Sequence, residues 1–210
     1  MKSVLISIHP EWCEKICHEI GKDETGKPIY EKRIEVRKSA PKETPFKAYI
    51  YATRPKKFYK CGAVGTSDEL LWLANGKVEM GDGFKFWADG DEYQCLNGRI
   101  IGEFICDRID RIKKRGINNN FDYCYLSLNE WGNDDIEIEI KDIQKSCISK
   151  SELNAYGENS SCLYAWHISD LKIYDKPKEL SEFFTPMGKR PSYMLERPPQ
   201  SWQYVDEVKV

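Results

Sequence analysis

Val4, Ile6 and Ile8 alternate with Ser3, Leu5 and Ser7, and this pattern predicts a first strand with both faces partly covered. Pro10 suits a first helical position, and Cys13, Ile16, Cys17 and Ile20 then recur at helical spacing up to Gly21, so a helix is expected next. Asp23-Glu24-Thr25-Gly26-Lys27-Pro28 is turn chemistry, a loop or hairpin tip. In Lys32-Arg33-Ile34-Glu35-Val36-Arg37 a strand would send Ile34 and Val36 to one face and Arg33, Glu35 and Arg37 to the other. Lys32 then lies in the turn before the strand. Pro41 and Pro45 end it, and residues 46–53 read as another strand rich in β-formers.

Further on, Ser67-Asp68-Glu69 ahead of Leu70, Leu71, Trp72 and Leu73 predicts a short helix ending near Asn75-Gly76. Gly81-Asp82-Gly83 lacks the Lys-Ser or Lys-Thr of a P-loop and reads as a plain loop. Residues 98–112 carry apolar side chains on both parities, as one long strand covered on both sides would. Strands are also expected over 121–128, 136–140 and 163–168. Ser149-Lys150-Ser151-Glu152 is a capping box opening a short helix that Gly157 terminates. The remainder, with Pro177, Pro186, Pro191, Pro198 and Pro199, reads as an extended tail whose Trp202 and Tyr204 have apolar area to bury.

At 210 residues and 40% hydrophobic, the chain is expected to fold as one domain with a real core. No apolar run approaches the roughly 18 residues of a membrane span, and the apolar start is too short for a signal peptide, so a cytoplasmic location is expected. Eight scattered cysteines contain no Cys-x-x-Cys pair, which favours free thiols. Cys13, Cys17 and His18 stand close together, but both cysteines share the apolar stripe of Ile16 and Ile20, so core packing is expected there and neither a metal nor a cofactor is assigned.

The net charge of −2 hides an uneven distribution: from Lys32 to Lys60 ten basic residues face two acidic ones, a balance of +8. Such a patch attracts phosphate, which makes nucleic acid a candidate partner, although a solvated lysine-rich surface has the same composition. Tyr49, Tyr51, Phe58 and Tyr59 interleave with it and could stack on bases or fill the core. A carboxylate between two guanidinium groups can order both for an anion, whereas the alternation alone would suit any half-solvated sheet.

Taken together, Lys32, Glu35 and Arg37 match the signature Gly-x-Lys-x-x-Glu-x-Arg, with Tyr30 in place of the glycine, and the chain resembles the ASCH family of the PUA-like superfamily. The resemblance extends through Lys38-Ser39-Ala40-Pro41, Tyr49-Ile50-Tyr51, Ile100 to Phe104 and Tyr164 to Ser169, hence over residues 1 to about 175. It implies an α+β fold, a small mixed β-barrel with short flanking helices over residues 1–175; the Pro-rich tail, 176–210, lies outside the resemblance and is expected as an extension packed on the same domain.

The resemblance also implies a cleft that binds RNA or a modified nucleoside. Lys32 would contact phosphate or a base carbonyl, Arg37 would donate a fork, and Glu35 would orient them or accept from a base amine, with Lys38 beside them. Trp166 and His167 are candidates for the cleft wall or, equally, for core positions. Some small relatives deacetylate N4-acetylcytidine with a lysine, a threonine and a glutamate; here Glu35 takes the threonine position, and Glu158 could stand for the distal glutamate. Whether the chain is an enzyme therefore stays open, with Lys32, Glu35 and Glu158 as catalytic candidates. A third reading is a protein-interaction module that uses the tail.

Overall fold

In a computed structural model the described residues are 1–54, 70–74, 76–81, 94–117, 120–127, 136–137, 144–187 and 191–207. They are mostly strand, with α-helices at Pro10–Cys17 (α1) and Lys150–Tyr156 (α2). Two five-stranded sheets dominate. The first has the order β14(Ser169–Lys178), β9(Ile100–Cys106), β5(Phe46–Ala52), β1(Lys2–Ile8), β16(Trp202–Tyr204); the second runs β12(Ile136–Glu137), β11(Asn120–Ser127), β10(Ile109–Ile117), β13(Cys162–His167), β4(Ile34–Arg37). Smaller sheets pair β2(Glu19–Lys22) with β3(Pro28–Tyr30), β6(Leu71–Ala74) with β7(Lys77–Met80) and β8(Gln94–Cys95), and β15(Phe183–Phe184) with β17(Asp206–Glu207). Among the described residues the sheets do not close into a barrel.

Strand parity decides which residues meet. Val4, Ile6 and Ile8 of β1 share a face with Phe46, Ala48 and Ile50 of β5 and Phe104 of β9, and this face packs on Cys13 and Ile16 of α1 and on Trp166 from the second sheet. The Cys13-Ile16 stripe expected from helical spacing is thus core, and burial pushes the Cys13 thiol well up. The opposite parity of the first sheet, Leu5, Tyr49, Tyr51 and Ile100, is covered by Phe183, Leu195 and Val205 from the end of the chain. On the second sheet, Ile34 and Val36 join Ile112, Leu163 and Ala165 under Leu153 of α2. Each fully buried side chain of this kind contributes about 1.5–3 kcal/mol.

Several expectations need correction. The helix after β1 ends at Cys17, and Ile20 lies in β2 with 57% of its surface exposed, because Glu19–Lys22 pairs with β3 in a hairpin whose tip is the predicted turn. Leu71–Ala74 forms a strand rather than a helix: Leu73 and Trp72 find partners on both β7 and β8, and cross-strand pairing overrides the local cap signal. The predicted cap Ser67-Asp68-Glu69 and most of the glycine-rich segment lie outside the described residues, as do Lys56, Lys57, Phe58, Tyr59, Lys60, Ile138 and Ile140. The single strand expected over 98–112 is two strands, broken at Asp107-Arg108, where the chain passes from the first sheet into the second. Residues 169–178, read as the start of the tail, form an edge strand of the first sheet. The capping box is as expected, with the Ser149 hydroxyl accepting from the Glu152 amide and the Glu152 carboxylate accepting from the Ser149 amide.

Candidate functional site

β4 is an edge strand of the second sheet, and its two parities have opposite chemistry yet are both buried. Glu35 and Arg37 point away from Ile34 and Val36, toward α1 and the end of β1, as the alternation predicts. The turn before β4 is fixed by main-chain bonds: the Lys32 amide donates to Lys15 O, and the Arg33 and Ile34 amides to Lys145 O. That anchoring aims the Lys32 side chain inward, and Lys32 is 0% exposed.

The three charges form one cluster. Glu35 Oε1 accepts from Arg37 at 2.9 Å, and Glu35 Oε2 lies 3.3 Å from Lys32 Nζ. Lys32 also donates to the Ser146 carbonyl and lies 4.8 Å from the centre of the Trp12 ring. Arg37 donates to the Ser7 carbonyl at 2.7 Å. Glu35 therefore binds both cations, its Oε2 through the 3.3 Å ion pair alone, whereas Arg37 Nε and Trp166 Nε1 have no hydrogen-bond partner among the described residues. Trp166 is the direct cross-strand partner of Glu35. Buried polar atoms without partners cost about 1–3 kcal/mol each, so this concentration on one sheet face is unusual for a purely structural cluster.

Burial pushes the Lys32 amine below its ordinary value, and the Glu35 carboxylate beside it opposes that without cancelling it. With Lys32 protonated the trio carries one net positive charge almost out of water. An electron-rich ligand would relieve that imbalance.

The other candidates divide between the two faces. Trp166 joins Glu35, wedged edge-on against Phe46 at 5.1 Å and Trp202 at 5.7 Å between ring centres. His167 is on the opposite face, where its Nε2 meets Asp110 Oδ2 at 2.7 Å and Arg108 contacts both. Burial alone would raise the Asp110 carboxyl, but the His167 hydrogen bond and the His167 and Arg108 charges outweigh it and hold it below the ordinary value. Lys38 is exposed past the strand end, its Nζ 5.2 Å from the centre of the Tyr156 ring. Glu158 is exposed in the turn after α2, in contrast to the fully buried Lys32.

Sequence reasoning missed Trp12, Tyr164 and the backbone carbonyls of Ser7 and Ser146. Tyr164 is the cross-strand partner of Arg37 on one side and of Arg111 on the other, so Arg37, Tyr164 and Arg111 form a row across the charged face. Beside that row a cavity of about 310 Å³ is lined by Tyr164, Ile109, Asp110 and Arg111 and by Ala40, Pro41, Lys42 and Thr44 after β4. Alternation at 162–166 is the sequence signal that could have placed Tyr164 and Trp166 on one face.

Among the described residues, no group of three or more His, Cys, Asp or Glu could hold a metal, and no helix is long and apolar enough to cross a membrane. No family model and no curated protein matches the chain. Among solved structures, the chain is similar to the crystal structure of an ASCH protein from Zymomonas mobilis, with 16% identity and a TM-score of 0.48 over 97% of this chain and 87% of that one. A single-substitution variant of the same protein gives 16% identity and a TM-score of 0.47 over 97% of this chain and 90% of that one. These two solved structures, to which the chain is similar, are of one ASCH protein and its variant.

Proposed function

We propose that the chain binds RNA or a modified nucleoside, and that Lys32, Glu35 and Arg37 read the base. The observation that carries this reading is the pair of donors without a hydrogen-bond partner on the buried charged face, Arg37 Nε and Trp166 Nε1, beside an acceptor, Glu35 Oε2, that is held only by Lys32 at 3.3 Å. A base edge offers both donors and acceptors in one plane and could meet such a mixed set, whereas a simple inorganic anion would leave Glu35 opposed. The neighbouring cavity is at the lower end of the range for small-ligand pockets, a size suited to a nucleoside rather than to a tracked strand.

The test is a titration of labelled RNA and of a panel of nucleosides against the protein and its Lys32→Met and Arg37→Gln variants at two salt concentrations. At least a tenfold loss of affinity is expected in each variant, since hydrogen bonds to charged groups contribute about 1.5–3 kcal/mol. Unchanged affinity in both would overturn the reading.

One observation favours a second reading, an amidohydrolase acting on N4-acylated cytidines. A lysine used as a base must lose its proton readily, and burial lowers Lys32 in spite of its carboxylate neighbour. Glu35 beside it would hold or pass the proton. Incubation with N4-acetylcytidine followed by chromatography decides this: release of cytidine that disappears in Lys32→Met supports it, and an intact substrate sinks it.

A further inference from the structure

We infer that the cavity beside the Arg37-Tyr164-Arg111 row is a phosphate subsite, so that the ligand is a phosphorylated nucleoside rather than a free one. The assignment of its base to the Lys32 trio rests on the function proposed above; the phosphate subsite stands on separate observations.

The first is the supply of unspent positive charge. Lys42 and Arg111 both line the cavity, and neither takes part in an ion pair among the described residues. The single acid in the lining, Asp110, is already engaged by Arg108 at 3.0 Å and by His167 at 2.7 Å. Its charge is therefore balanced from the far face of the sheet, and the cavity keeps a positive excess. Thr44 adds a hydroxyl donor to the same lining. Two cations and a hydroxyl suit a phosphate monoester, which is close to a dianion at neutral pH and offers three acceptor oxygens.

The second is position. Arg37 and Arg111 flank Tyr164 on adjacent strands, so their backbones are two strand spacings apart, about 10 Å. A nucleoside base and its 5′-phosphate are separated by one ribose, a span of that order. Ala40, Pro41, Lys42 and Thr44 complete the lining, with Lys42 and Thr44 exposed and Pro41 buried, and Tyr164 and Ile109 add apolar surface against which the sugar can rest.

The test begins with ribose 5-phosphate, which carries the phosphate without a base. Backbone amide shifts of Ile109, Arg111 and Tyr164 are followed by NMR as it is added, with ribose as control and inorganic phosphate as competitor. Saturable shifts with ribose 5-phosphate and none with ribose are expected, and they should vanish in Lys42→Gln/Arg111→Gln, whose substituted side chains reach solvent. Absence of saturable shifts up to about 20 mM, a regime of only a few kcal/mol of binding, overturns the subsite.

Calorimetry then compares each nucleoside with its 5′-monophosphate. The monophosphate is expected to bind at least about tenfold more tightly, and the gain to disappear in the double variant. Equal affinities for nucleoside and monophosphate overturn the subsite and leave the base reading intact. Nucleotides that bind no more tightly than ribose 5-phosphate have the opposite meaning: the subsite stands and base recognition fails.

Discussion

Replacing Glu35 by Gln should be the most costly single change in the charged cluster. The carboxylate holds Arg37 at 2.9 Å and Lys32 at 3.3 Å, and both partners are nearly removed from water. At an effective dielectric of about 20, each contact at that range corresponds to about 5 kcal/mol of Coulomb attraction before hydration is subtracted. Gln keeps the shape and some hydrogen bonding but leaves two buried cations side by side. Loss of one partner from a buried ion cluster typically costs about 3–5 kcal/mol, and for a chain of this size each kcal/mol moves the melting temperature by about 2–4 °C. Glu35→Gln should therefore melt about 6–20 °C below the parent protein.

Lys32→Met supplies the contrast. It removes the more deeply buried cation, leaves Glu35 and Arg37 as a neutral pair in place of a cluster of net charge +1, and puts an apolar chain of similar volume beside Trp12, so the loss should be about 1–2 kcal/mol, smaller than in Glu35→Gln. Urea unfolding followed by tryptophan fluorescence measures both variants on one scale. If Glu35→Gln falls within about 1 kcal/mol of the parent, or if Lys32→Met proves the more damaging, the trio is not a desolvated charge cluster. The same pair separates the proposed function from folding, since Lys32→Met is expected to stay folded while losing the proposed ligand affinity.

Asp110→Asn should remove stability with a definite pH signature. The folded carboxyl is held below its ordinary value of 3.8, so its contribution is present above that pH and is lost as pH falls through the folded value. The gap between parent and variant, about 1–2 kcal/mol near pH 6, should close toward pH 2 in acid-unfolding curves; a constant gap contradicts the assignment. Gly102→Ala should destabilise by about 1–3 kcal/mol in a thermal melt, because its new Cβ would meet the Lys172 carbonyl at 2.5 Å, a backbone contact that cannot swing aside; a neutral result would mean that β14 can slide outward. Phe183→Ala should cost about 3–5 kcal/mol in urea unfolding by opening a cavity over Tyr49, whose ring it meets at 4.8 Å between centres, and a loss under 1 kcal/mol would show that the covering segment is not held there.

What could be read from the chain beforehand was local. The β2–β3 turn, the capping box at Ser149 and the alternation in β4 each depend on residues within a few positions of one another, and each was legible. The burial of Lys32, Glu35 and Arg37 was not, because charged side chains alternating with Ile and Val look solvated until the elements covering them are known. Here those elements are α1, the end of β1 and the turn near Ser146, which come from distant parts of the sequence. The same reason separates Trp166 from His167: adjacent residues on a strand face opposite ways, and only pairing with Glu35 shows which of them joins the charged face. Leu71–Ala74 and β14 were misread because their strand character depends on partners rather than on their own composition.

The placement of β16 beside β1 has a consequence for how the molecule comes to be made. Val4 pairs with Tyr204, so β1 waits for a strand made about 200 residues later before that edge is closed. Contacts of such high sequence separation make folding slow, and they leave the apolar β1 without this partner while the residues between the two strands emerge. Trp202, which packs on Trp166 behind the charged cluster, arrives in the same late step. The packing around the charged cluster is then complete only once β16 has been made, and a ribosome-bound chain that stops short of residue 202 would carry Lys32, Glu35 and Arg37 without the Trp202 contact on Trp166.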